Sequence, residues 1–108
     1  MTVEVLYFPG CPHYLPTVQR VREVLDQERI VATTSELQVA DATIASRIGF
    51  LGSPSVRVNG ADVEPSARGV RDYGLMCRIY IVDGRREGLP SREMIRLAIR
   101  GAGKPPAE

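Results

Sequence analysis

Scarcity sets the first limits on this chain. It carries two cysteines, one histidine and a net charge of only +1. So small a net charge gives no reason to expect nucleic acid or an acidic membrane surface as partner. No apolar run approaches the length of a membrane span. The opening Met1-Thr2-Val3-Glu4 has no basic region followed by an apolar stretch, so no signal peptide is expected. Two cysteines without such a leader suggest a reducing, cytoplasmic setting with free or transiently paired thiols. There is no internal repeat, and no low-complexity segment beyond a short tail.

What is present is an ordinary globular composition, 44% apolar and 25% charged. At 108 residues it forms one domain with room for a real core. Val3 to Phe8 reads as a central strand buried on both faces, ended by Pro9-Gly10. A helix is predicted from about Pro12 to Glu28, with Leu15, Val18, Val21, Val24 and Leu25 on its apolar side. Ile30 to Ala40 reads as a strand, with Leu37 and Val39 pointing one way. The helix between the two strands makes them a parallel pair.

Asp41 caps a short helix that Gly49 stops. Ser55 to Val58 and Ala61 to Glu64 form a hairpin around Asn59-Gly60. Residues 65–90 read as an insert, with a strand at Cys77 to Val82 and a turn at Asp83-Gly84. Ser91 caps a last helix with Ile95, Ala98, Ile99 and Ala102 as its stripe, and 101–108 reads as a flexible tail. Arg92, Arg96 and Arg100 line another face of that helix and read as solvated. The order is β-α-β-α-β-β, insert, α: an α/β domain with a central mixed sheet and helices on both faces.

The chemistry gathers at Phe8-Pro9-Gly10-Cys11-Pro12-His13-Tyr14. A cysteine where a strand gives way to a helix faces unpaired N–H groups and the helix dipole. Both favour thiolate, and such sites lower a thiol pKa from about 8.5 to about 3.5–7.5. His13 is placed to stabilise that thiolate or to give a proton to a leaving thiol, or else points to solvent. Tyr14 either meets the sulfur or packs on the helix.

These residues resemble the thioredoxin superfamily at its glutaredoxin end. The likeness rests on the strand followed by Cys11-Pro12, on Ser53-Pro54-Ser55-Val56 as a cis-proline turn into the third strand, and on Pro54-Ser55-Val56-Arg57-Val58-Asn59-Gly60. More closely the chain resembles small bacterial thioredoxin-like proteins that open with a strand and Gly-Cys-Pro, or with selenocysteine in the cysteine's place. These carry Phe-Leu-Gly-Ser-Pro, here Phe50 to Pro54, and are described as thioredoxin family or DF family (seleno)protein; some chains of this look are labelled alkylmercury lyase.

The resemblance implies a thioredoxin-like fold over residues 1–100 and a thiol–disulfide oxidoreductase with Cys11 as nucleophile. Pro12, Tyr14, Ser53 and Pro54 would line the substrate, and the backbone of Ser53 would pair with an extended peptide or a thiol. Tyr14 stands where a Cys-x-x-Cys motif has its second cysteine, so no two-cysteine cycle runs within the motif. Glu64-Pro65-Ser66 replaces the glycine pair that grips glutathione.

Chain tracing brings the insert back to the active-site side, which makes Cys77 the candidate resolving thiol. Its alternative is a buried strand residue far from Cys11. The expected partner is a protein or low-molecular-weight thiol or disulfide, with no cofactor, for a monomer or weak homodimer. Two other readings stay open. One is soft-metal capture, of mercury or copper, by Cys11, His13 and Cys77, or organomercurial handling with a carboxylate such as Asp62 as proton donor. The other is a non-catalytic binding module on the same scaffold.

Overall fold

The computed structural model describes residues 1–102. Its centre is β1 (Thr2–Tyr7), in the middle of a four-stranded sheet ordered β2-β1-β3-β4. β2 (Thr33–Gln38) runs parallel to β1, with Thr2 opposite Thr33 and Tyr7 opposite Gln38. β3 (Ser55–Val58) lies antiparallel on the other side of β1, and β4 (Ala61–Asp62) turns back along β3. The turn is Asn59-Gly60, both at positive φ, as a two-residue hairpin requires.

Alternation along β1 divides the core. Val3 and Val5 face α1 (Tyr14–Gln27) and α3 (Arg92–Ala102), where they meet Val18, Val21, Val24, Ile95 and Ile99. Leu6 faces the opposite way, onto Val39, Ala45 and Phe50 beside α2 (Ala42–Ile48). The sheet is therefore covered on both faces, which gives a mixed α/β domain with three helices.

Local chemistry sets the helix ends. Asp41 accepts the Ile44 N–H at 2.8 Å, and Gly49 leaves α2 at φ 70°. Arg57 reaches from β3 to the last α2 carbonyls, those of Ile48 and Gly49. Ser91 Oγ caps α3 by accepting the Met94 N–H.

Several boundaries depart from the sequence reading. α1 begins at Tyr14 rather than Pro12. Tyr14 turns inward to stack on Tyr7, so Leu15 leaves the apolar stripe and stands 66% exposed. β2 is shorter than expected and exposed along its whole length; Val39, just beyond it, is the residue that reaches the core. The strand expected at 77–82 begins at Tyr80, as β5 (Tyr80–Val82). It pairs with β6 (Arg85–Glu87) through the Asp83-Gly84 turn, a return strand the sequence reading did not include. Gly101 and Ala102, assigned to the tail, belong to α3; the rest of that tail lies outside the described residues.

The arginines of α3 keep a solvated face, and each is paired there with a glutamate. Arg92 binds Glu23 and Arg100 binds Glu28, both across to α1, while Arg96 pairs with Glu93 on its own helix. Among the described residues, no helix is long and apolar enough to cross a membrane.

The two cross-helix pairs set the acid response. Hydrogen bonds from Arg92 and Arg100 hold the Glu23 and Glu28 carboxyls below their ordinary value of 4.5, against a smaller opposing effect of desolvation. The folded state therefore prefers the ionised forms. That contribution is complete above the ordinary value and is lost as pH falls through the lowered one. Thermal melts should lose more stability between neutral and acid pH in the wild type than in Glu23→Gln/Glu28→Gln, and salt should shrink the difference because both pairs are exposed. On the opposite face, Phe50→Ala should cost about 3–5 kcal/mol in denaturant unfolding, since the ring is fully buried in the smaller cluster.

Candidate active site

β1 ends by delivering Cys11 to the sheet's C-terminal end. Gly10, at φ 85°, turns the chain, and the Cys11 N–H donates back to the Phe8 carbonyl at 3.3 Å. Cys11 is half-buried, Pro12 and His13 are exposed, and Tyr14 opens α1. The cysteine thus sits in the turn ahead of α1 rather than on its first coil. Its own carbonyl accepts the Tyr14 N–H at 3.4 Å, and the His13 carbonyl accepts both the N–H and the hydroxyl of Thr17.

His13 and Tyr14 point different ways. The His13 ring lies against Gly88, so closely that a β-carbon there would come within 2.4 Å of Nε2. The connection carrying Gly88 is pinned to α1 by Arg20, which donates to the Pro90 carbonyl. The Tyr14 ring stacks on Tyr7 with centroids 3.6 Å apart, and its hydroxyl donates to Glu36. That bond, with some desolvation, pushes the Tyr14 hydroxyl pKa well above its ordinary value. Of its two expected places, Tyr14 takes the packing one.

The Ser53–Pro54 bond is cis, and both residues are buried. The Ser53 hydroxyl accepts the Phe8 N–H at 3.2 Å, tying this turn to the strand end that carries Cys11. The backbone of Ser53 is also taken. Its N–H donates to the Met76 carbonyl at 2.8 Å, and its carbonyl accepts the Arg78 N–H at 3.0 Å. Cys77 therefore stands directly across from Ser53 in a parallel bridge, exposed to solvent, and not buried inside a strand. Both cysteines are free thiols. Hydrogen bonds link the Cys11 N–H to Phe8, Phe8 to Ser53, and Ser53 to Met76 and Arg78 on either side of Cys77.

Sequence reasoning missed what holds this segment down. Arg78 is buried, and its guanidinium binds both oxygens of Asp62 at 2.6 and 2.8 Å, the Ser55 hydroxyl at 3.0 Å and Glu64 at 3.4 Å. It also stacks over the ring of Tyr80. Burial works against the charge, but the hydrogen bonds that Arg78 donates to Asp62 and the nearby negative groups outweigh it, and the Arg78 pKa rises. Tyr80 is buried with its hydroxyl donating to the Pro54 carbonyl at 2.6 Å, and burial pushes its pKa upward. Gly52 permits the approach: a β-carbon there would lie 3.0 Å from Arg78 Cβ and 3.1 Å from the Met76 carbonyl. The alternation of Arg78 and Tyr80 between exposed Cys77, Ile79 and Ile81 was the available signal, since an arginine on the inward side of a strand needs a buried acid.

Asp62 is accordingly committed to Arg78 and to the Glu64 N–H, and is not a free acid beside Cys11. Among the described residues, no group of three or more His, Cys, Asp or Glu side chains comes together as a metal site, so Cys11, His13 and Cys77 are not gathered around one point. Cys77 forms part of the wall of a shallow groove of about 360 Å³ with Leu51, Val70, Met76 and Ile79. A groove of about 510 Å³ lies between the β3–β4 hairpin and α3, and neither cysteine lines it. Compared with known proteins, the chain matches no family model, no curated protein and no solved structure.

Proposed function

We propose that this is a thiol–disulfide oxidoreductase of thioredoxin-like architecture, with Cys11 as nucleophile and Cys77 as resolving thiol. The observation that carries the reading is the attachment of both cysteine-bearing segments to Ser53. Cys11 comes to it through Phe8, and Cys77 through the main-chain bridge. The strand order β2-β1-β3-β4, the cysteine after β1 and the cis-proline before β3 support the architecture.

The cycle follows from thiol chemistry. The Cys11 thiolate attacks a disulfide R–S–S–R′, forming a Cys11–S–S–R bond and releasing R′–S⁻. The Cys77 thiolate then attacks the Cys11 sulfur, closing Cys11–Cys77 and releasing R–S⁻. Two electrons pass from the protein thiols to the substrate, and an external thiol returns them. His13, one residue beyond Pro12, supplies a proton to the departing thiolate. Closing the bond needs α-carbons about 4.4–6.8 Å apart. No second motif cysteine is required, so Tyr14 in that place is no obstacle. The partial exposure of Cys11 and the greater exposure of Cys77 suit attack from solvent.

Treated with a small disulfide and then digested, the wild type should yield one Cys11–Cys77 crosslinked peptide. Cys77→Ser should stop at a mixed disulfide on Cys11, and Cys11→Ser should give neither product. A chain-to-chain link through Cys11 alone, or an adduct only on Cys77, counts against the cycle. The role of His13 has its own check. Gly88→Ala should push the imidazole aside at a cost within about 0.5–1 kcal/mol, because only a side chain has to move. It should also alter the pH dependence of mixed-disulfide resolution; an unchanged profile would remove His13 from the mechanism.

A further inference from the structure

An extended peptide binds a sheet edge by pairing its main chain with free N–H and C=O groups. At the Ser53–Pro54 edge those groups are already used by this chain. Met76 and Arg78 take the N–H and C=O of Ser53, and the Tyr80 hydroxyl takes the C=O of Pro54. Upstream, the Gly74 N–H donates to the Phe50 carbonyl at 3.1 Å. Residues 74–80 thus run parallel to residues 50–54 and occupy the edge at Phe50, Ser53 and Pro54.

The cover is fastened, not laid on loosely. Arg78 sinks its charge into Asp62, Glu64 and the Ser55 hydroxyl, where it is 6% exposed and Asp62 is 8% exposed. Lifting the segment would leave a desolvated carboxylate without its partner, a costly outcome. Gly52 lets the two backbones approach to near contact.

We propose, resting on the redox reading above, that residues 74–80 are a built-in occupant of the peptide edge and that Arg78 is the positioning residue that sets substrate class. Cys11 takes compact disulfides of low-molecular-weight thiols, and extended protein chains are shut out. A compact disulfide needs only an approach to the Cys11 sulfur and no strand pairing. The same cover supplies the second thiol, because Cys77 is its residue opposite Ser53.

The test compares two probes on the full chain, by the rate at which each modifies Cys11. One is the disulfide of mercaptoethanol; the other is a linear peptide whose central cysteine carries the same mercaptoethanol group. The wild type should react much faster with the compact probe, and its Ser53 and Arg78 amides should exchange slowly with solvent. Arg78→Gln/Asp62→Asn keeps a neutral hydrogen-bonding pair and weakens the anchor. It should free both amides and raise the peptide-to-compact rate ratio about thirtyfold, the worth of two ordinary backbone hydrogen bonds. Alkylation of Cys11 by iodoacetamide should not change. If the double variant keeps its amide protection, Gly52→Ala opens the same edge by driving a β-carbon at Arg78 and Met76, and is read by the same ratio.

Equal rates for the two probes in the wild type overturn the proposal, as does an unchanged ratio once the Ser53 amide exchanges freely. If iodoacetamide alkylates Cys11 but neither disulfide exchanges with it, the redox reading itself fails and the substrate class falls with it.

Discussion

A guanidinium buried between two carboxylates governs the geometry of this molecule's chemical end. Arg78 is drawn into the protein because Asp62 and Glu64 wait at the end of the β3–β4 hairpin, and it brings its neighbours along. With Arg78 fixed, Met76 and Cys77 have one place to lie, along the cis-proline turn. With Tyr80 fixed beneath the arginine, the Pro54 carbonyl is satisfied as well. A buried ion pair of this kind adds little net stability over an apolar replacement, but separating it strands a buried charge, so it holds its segments in one arrangement. Here the arrangement it specifies is the return of the insert to the cysteine-bearing end of the sheet.

The rest of the domain makes that end rigid. β1 is buried on both faces, so Phe8 and the turn after it have a fixed starting point. Ser53 then joins the two sides: its hydroxyl holds the Phe8 N–H, and its backbone holds the insert. Thiol exchange asks for two sulfurs that meet without rearranging the core, and both cysteines here sit on short segments tied to the same serine. The proposed cycle depends on this shared attachment more than on the helix start, because α1 begins three residues beyond Cys11.

Most of the fold was legible in the sequence because local signals agreed with the long-range ones. Asp41 and Gly49 bracket α2, Asn59-Gly60 makes the hairpin, and the valines of β1 alternate as a doubly covered strand should. The strand β2 was legible but its bounds were not, and two further features were not legible at all, each for a physical reason. β2 carries one isolated apolar residue because it is an edge, and its place is fixed by pairing to β1 rather than by burial. β6 is three charged residues, invisible to any hydrophobic pattern, and only the Asp83-Gly84 turn hinted at a return strand. The Arg78 anchor joins positions 16 residues apart in charge alone, which no periodicity encodes. Cys11, Ser53 and Pro54 could be singled out from their motif. That the insert would occupy the Ser53 backbone could not, since it follows from Gly52, Arg78 and Asp62 acting together.

β2 has a consequence for how this protein behaves among its own copies. Its outer side leaves main-chain groups with no partner strand, which in many proteins invites sheet-to-sheet polymerisation. Every one of its six residues is exposed, and five are polar or charged; Glu36 is held over the strand by Tyr14 and faced by Arg22. An incoming strand would have to strip water from these groups and displace a tyrosine clamp for the reward of burying one leucine. The margin of the sheet is thereby blunted by its own hydrated side chains, with no further strand paired to it among the described residues.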